Sequence, residues 1–259
     1  MRNGNPALSE DTFEKLSDNG TFAPPPGTPA HAQEVMTVEG TVNKTMILLL
    51  LAVISASVTW SMVLKPGGIG MAIPLMLGGM FTAFIVAMVT IFKPNISPYT
   101  APVYALLEGL ALGGISAVVN SQYPGIATQA VGLTFGTLAV MLLAYRTGLI
   151  QVTDKFRMGV VAATGGIAVF YLISMVMRMM GVGASFLAYD ATSPLAIGIS
   201  LVVVVVAALN LVLDFDMIER GTKYRAPKFM EWYSAFSLML TLVWLYLELL
   251  RLLARLSRR

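Results

Sequence analysis

The chain has 259 residues, 56% of them apolar and only 12% charged, with a net charge of +3 and a mean hydropathy of +0.75. Soluble domains carry about 25% charged residues, so the composition indicates a polytopic membrane protein, and basic residues scattered between apolar runs exclude nucleic acid as a partner. With no cysteine and a single histidine, His31, disulfides, thiolate metal sites, thiol catalysis, histidine triads and multi-histidine metal sites within one chain are excluded.

Residues 1–43 are polar and rich in Pro and Gly, with FAPPPGTPAHAQ at their centre. They hold no apolar run to offset the entropy of ordering, so a disordered N-terminal tail is expected. No apolar stretch follows a basic start, as a signal peptide would require.

Seven apolar runs follow, at about 45–64, 70–92, 101–119, 126–145, 158–180, 194–214 and 229–250. Pro, Gly and charge separate them, as at Lys65-Pro66-Gly67-Gly68, Lys93-Pro94-Asn95 and Tyr123-Pro124-Gly125. A spanning helix needs about 20 apolar residues. The expected fold is therefore all-α, a seven-helix transmembrane domain over 44–259. The Lys and Arg distribution orients it. With the N-terminus in the cytoplasm, eleven basic residues lie inside and six outside. Four of those six, Arg251, Arg255, Arg258 and Arg259, sit on the C-terminal tail. Either that tail is outside against the rule, or the last run re-enters and returns.

Small residues spaced for close helix contact occur at Gly109 and Gly113, Gly132 and Gly136, and Gly165-Gly166. The Met-rich segment 174–180 suits adaptable packing, with Arg178 snorkelling to the interface.

Six of the 14 acidic residues fall in or beside the runs: Glu108, Asp214, Asp216, Glu219, Glu231 and Glu248. An ionisable group within the membrane is a functional candidate because burying its charge is costly. Glu108 stands seven residues into the third run, about 10 Å deep at 1.5 Å per residue. It either gates or makes a structural hydrogen bond to a neighbouring helix, and Tyr104, four residues earlier, is a candidate phenolic partner. Asn210 and Asp214 are four apart and share a helix face. Asp216 points elsewhere and also suits a solvated helix end. Glu231 follows Lys228 by three, and Glu248 precedes Arg251 by three; both spacings suit surface ion pairs. Glu108, Asp214 and Glu231 are expected to gather toward the cytoplasmic half of one bundle. Carboxylates held close cannot all ionise cheaply and would share a proton. Oxygen ligands of this kind, Asp214 and Glu108 first, also suit Ca²⁺.

The strings MRNGNPALS at 1–9, MTVEGTVNKT at 36–45, APVYALLEGLALGGIS at 101–116, AYRTGLIQVTDKFRMGVVAATGG at 144–166 and LNLVLDFDMIERG followed by PKFMEWYSAF carry a further signal. Through them the chain resembles the Bax-inhibitor-like (TMBIM) family of seven-span membrane proteins, in particular its bacterial branch. The resemblance implies six helices around a central seventh, a bacterial inner-membrane location, and a pH-dependent Ca²⁺ leak associated with an aspartate pair on the sixth and seventh helices. Asp214, with Ile218 four residues later, matches the sixth-helix member. The partner aspartate is expected in LVWLYLELLRLL at 242–253, where Val, Trp, Leu and Tyr stand instead, and the second span has no arginine to latch the sixth-helix acid. Glu108 or Glu231 is the candidate substitute.

Two functions fit. One is a pH-sensitive Ca²⁺ or cation leak in the lipid bilayer, gated by Asp214, Glu108, Asp216 and Glu231 and supported by Asn210, Tyr104, Glu248 and Arg251. Here H⁺ and Ca²⁺ are partners and no cofactor is bound. The other is a non-conducting regulator that contacts a membrane protease or a stress or cell-death pathway. No EF-hand, P-loop, nucleophile elbow or GxGD-like motif is present to support an enzyme.

Overall fold

The computed structural model describes residues 35–180 and 193–258. Seven α-helices account for nearly all of them: α1 Val38–Val63, α2 Gly68–Phe92, α3 Ser97–Gln122, α4 Ile126–Arg146, α5 Asp154–Met179, α6 Pro194–Lys223 and α7 Met230–Ser257. A single 3-10 turn, Pro94–Ile96, leads into α3. The shortest helix has 21 residues, about 32 Å at 1.5 Å per residue, enough to cross a hydrocarbon core of about 30 Å. All seven are long and apolar enough to span a membrane. Large apolar side chains such as Leu50, Val53, Phe81, Phe84, Val140 and Leu172 are exposed. In water such patches would drive association; against lipid tails they are at home.

Each expected run matches one helix to within a residue or lies inside it, and the helices reach further into the polar flanks. The first begins at Val38, inside the segment expected as tail. Thr37 caps it by accepting a 2.9 Å hydrogen bond from the Gly40 N–H, which satisfies one of the orphan donors of the first turn. Met36 N–H also donates to the Ala226 carbonyl at 2.7 Å. The rest of the expected tail lies outside the described residues. The last helix is one unbroken rod of 28 residues, which overturns the re-entrant alternative. It is also the most deeply buried of the seven: 67% of its spanning window is buried, against at most 50% elsewhere.

The chain forms two compact units. One is the described part of Met1–Val118 together with Asp214–Leu240; the other is Val119–Leu213 together with Thr241–Arg259. In the first, α3 lies tightly against α1. A Cβ on Gly109 would collide with the Ala52 carbonyl and Ser55 Oγ, and one on Gly113 with the Ala56 carbonyl and Thr59 Oγ1. Thr59 Oγ1 donates across the same seam to the Leu110 carbonyl at 2.9 Å. Two glycines four apart thus let the two backbones approach as expected.

The other small-residue pairs do not behave this way. Gly132, Gly136, Gly165 and Gly166 have no side-chain or neighbouring backbone atom near a would-be Cβ among the described residues, and all four are exposed. Spacing alone shows that small residues share a face, not which way the face points. The same correction applies to the Met-rich segment: Met175, Met179 and Met180 are exposed rather than packed. The expectation for the Arg178 side chain lies outside what is described.

Candidate functional site

Asp214 is 1% exposed and lies nine residues before the end of α6 at Lys223. Its Oδ1 accepts a hydrogen bond of 3.4 Å from Ser237 Oγ of α7. Ser237 is itself fully buried. Ser237 is thus one seventh-helix partner of this acid. Ser234, three residues earlier and so on the same face of α7, is buried with its Oγ lacking a hydrogen-bond partner among the described residues. Phe236, beside Ser237, receives Tyr104 of α3 edge-on, with ring centroids 5.0 Å apart at 84°, a favoured aromatic geometry.

That contact brings the Glu108 turn of α3 toward the same region. Glu108 is half-buried and within electrostatic reach of Tyr104. No hydrogen bond or ion pair holds its carboxylate among the described residues. The expected phenolic bond from Tyr104 is absent there too: the ring is committed to Phe236. Asp214, hydrogen-bonded by a serine, and Glu108 thus both lie in the first unit on membrane-spanning helices.

Glu231 is engaged elsewhere. It is fully buried and faces the start of α1. One oxygen accepts from the Thr37 backbone N–H and from Thr37 Oγ1, each at 2.9 Å. The other accepts from Lys44 Nζ at 2.5 Å. Lys228 adds the expected i,i+3 ion pair at 3.4 Å. Gly40 makes room, since a Cβ there would overlap the carboxylate. Glu231 thus turns its carboxylate to the start of α1. Among the described residues no three acidic or histidine side chains come close enough to hold a metal ion.

Asp216 pairs with Arg220 one turn on, at 2.9 Å, as a helix-end residue does. Glu219 pairs with Lys223 at 2.7 Å in the same way.

In the second unit, Asn210 of α6 donates to Thr164 Oγ1 of α5 and to the Val206 carbonyl, both at 2.8 Å. Glu248 is buried and accepts from Arg251 at 3.0 Å on both oxygens, the i,i+3 pair expected from spacing. Tyr171 of α5 completes a triad. Its hydroxyl donates to Glu248 at 2.8 Å and accepts from Arg251 at 2.7 Å. One turn further, buried Arg255 donates to the Ala196 carbonyl at 2.6 Å and to Ser200 Oγ at 2.7 Å. Arg258 donates to Tyr123 at 2.6 Å.

Lys44, Thr37, Ser237, Tyr171 and Arg255 were not legible as site residues. Thr37 carried a signal, because Thr just before a helical run marks a cap. Ser237 and Tyr171 carried none: a serine or tyrosine in an apolar run shows its role only through its partner.

No curated protein matches the chain. The sequence model of the Bax inhibitor 1 like family matches residues 5–258. That match covers the caps, the close α1–α3 seam and the buried acids of α3, α6 and α7 alike, and the chain belongs to the Bax inhibitor 1 like family.

Proposed function

We propose that this integral membrane protein is a pH-sensitive cation leak with Ca²⁺ as its cargo, controlled by protonation of Asp214 and Glu108. The observation that carries the reading is the burial of the Asp214 carboxylate against Ser237, between two membrane-spanning helices. Burying a carboxylate in such a place is costly, and acids kept there despite the cost mark ion or proton pathways. Glu108, half-buried and free of ion pairs among the described residues, supplies a second acid able to exchange a proton or meet a passing cation. Helix α7 carries no aspartate, and Ser237 hydrogen-bonds Asp214 from that helix. Asp216 and Glu231 drop to supporting roles, as each already has a basic partner.

The Lys and Arg distribution supports an orientation with the N-terminus in the cytoplasm, and the bacterial branch of the family supports the inner membrane. The test is Ca²⁺ flux in vesicles holding purified protein, across a pH series, for the parent, Asp214→Asn and Glu108→Gln. The leak reading expects both variants to change the flux and flatten its pH response. Unaltered flux in both rejects it. A parent that passes no Ca²⁺ turns the function to the alternative, a non-conducting regulator acting through contacts with another membrane protein.

A further inference from the structure

The connection between α6 and α7 is short, and both of its ends lead into the candidate site: Asp214 lies nine residues before Lys223, and Ser237 seven after Met230. The segment preceding and opening α1 fastens this connection at several points. Val35 forms an antiparallel bridge with Pro227. Met36 N–H donates to the Ala226 carbonyl at 2.7 Å. Thr37 and Lys44 both bind the Glu231 carboxylate, and Lys44 also lies over the Trp232 ring, 5.7 Å from its centroid. Ser97, opening α3, donates to the Phe229 carbonyl at 3.1 Å.

The placement of Glu231 explains why this fastening is specific. A fully buried carboxylate needs its charge offset and its lone pairs filled. Here three of the donors come from residues 37–44, far away in sequence. The Thr37 N–H is an orphan donor at a helix start, where the helix dipole also favours an anion. Charge-assisted bonds of this type are the strong ones. Without residues 35–44 in place, Glu231 would keep only Lys228, which is half-exposed.

We infer that Glu231 is a positioning residue: it clasps the Val35–Lys44 segment to the α6–α7 connection and so sets how Asp214 and Ser237 face each other. The clasp acts on the site from outside it. The inference deepens the leak reading, and the experiment below separates the two.

The chain has no cysteine, so Val35→Cys with Pro227→Cys creates the sole possible disulfide. Antiparallel bridge partners have Cα atoms about 4.5–5.5 Å apart, inside the range a disulfide accepts. Full-length protein in vesicles is compared as parent, Glu231→Gln, Lys44→Met, and Glu231→Gln carrying the oxidised or reduced cysteine pair. The leak is expected to rise about fivefold or more in Glu231→Gln and Lys44→Met, the scale of coupling between linked sites. Oxidising the pair should return Glu231→Gln to the parent level, and reductant should release it again. Parent-like flux in both single variants, or no rescue by the disulfide, overturns the clasp. Backbone hydrogen exchange over 214–240 is followed in the same samples. If the parent does not conduct, the leak reading fails, and exchange alone decides the clasp. Faster exchange in Glu231→Gln that the disulfide reverses supports it; exchange equal to the parent overturns it.

Discussion

Ser237 of α7 donates its hydroxyl to the buried carboxylate of Asp214 on α6 at 3.4 Å. One hydroxyl facing one acid differs chemically from two facing acids. Replacing Ser237 with Asp should create a pair that cannot ionise fully and shares a proton. The expected outcome is a steeper pH dependence of Ca²⁺ flux in vesicles than the parent shows. Ser237→Ala removes one hydrogen bond to the Asp214 carboxyl and should cost about 0.5–1.5 kcal/mol of stability, read by thermal unfolding in detergent.

The α1–α3 seam predicts a contrast between glycines. Gly109→Ala and Gly113→Ala each drive a methyl into backbone carbonyls and side chains of α1. Overpacking of this kind costs about 1–3 kcal/mol. Gly132→Ala and Gly136→Ala meet open space and gain helix propensity of about 1 kcal/mol. Melting temperatures of the four single variants should therefore split into two falling and two unchanged or rising.

Helix α6 ends on an unusual residue. Arg225 N–H bonds the Thr222 carbonyl, and Ala226 N–H bonds the Gly221 carbonyl at 3.0 Å. This is a Schellman cap, whose left-handed position is usually glycine. Here it is Arg225, with φ of 54°. Arg225→Gly relieves about 1 kcal/mol of left-handed strain, and the variant should melt higher than the parent.

The Glu248, Arg251 and Tyr171 triad predicts non-additivity. Glu248→Ala leaves Arg251 and Tyr171 without their shared acceptor, at a cost of about 1–3 kcal/mol given that Arg251 is partly exposed. The double variant with Arg251→Ala should lose less than the sum of the two singles, because the second change removes a charge already stranded. Chemical denaturation of the four proteins of this cycle measures the difference.

Seven helices were legible because each run of apolar residues is long and each break carries Pro, Gly or charge. Helix ends were less so. Thr37 and the polar turn after it extend α1 toward the terminus, and capping rather than hydropathy sets that boundary. The i,i+3 pairs at Glu231 and Glu248 followed from spacing along one helix. What joined them from afar, Lys44 at one and Tyr171 at the other, did not, since a pairing between distant helices leaves no periodic trace. Asp214 stood out by its charge in an apolar run. Its partner was sought as another charge, and the serine that holds it was passed over for that reason.

The arginines near the end of α7 have a consequence for how the protein is built into its bilayer. Arg251, Arg255 and Arg258 each bind a residue that precedes them in the chain: Tyr171, Ala196 with Ser200, and Tyr123. During synthesis those sockets have all left the ribosome before the final rod emerges. Its cations therefore meet waiting oxygens, Arg255 wholly within the protein, and they need not act as a topological vote against the direction in which that rod is threaded.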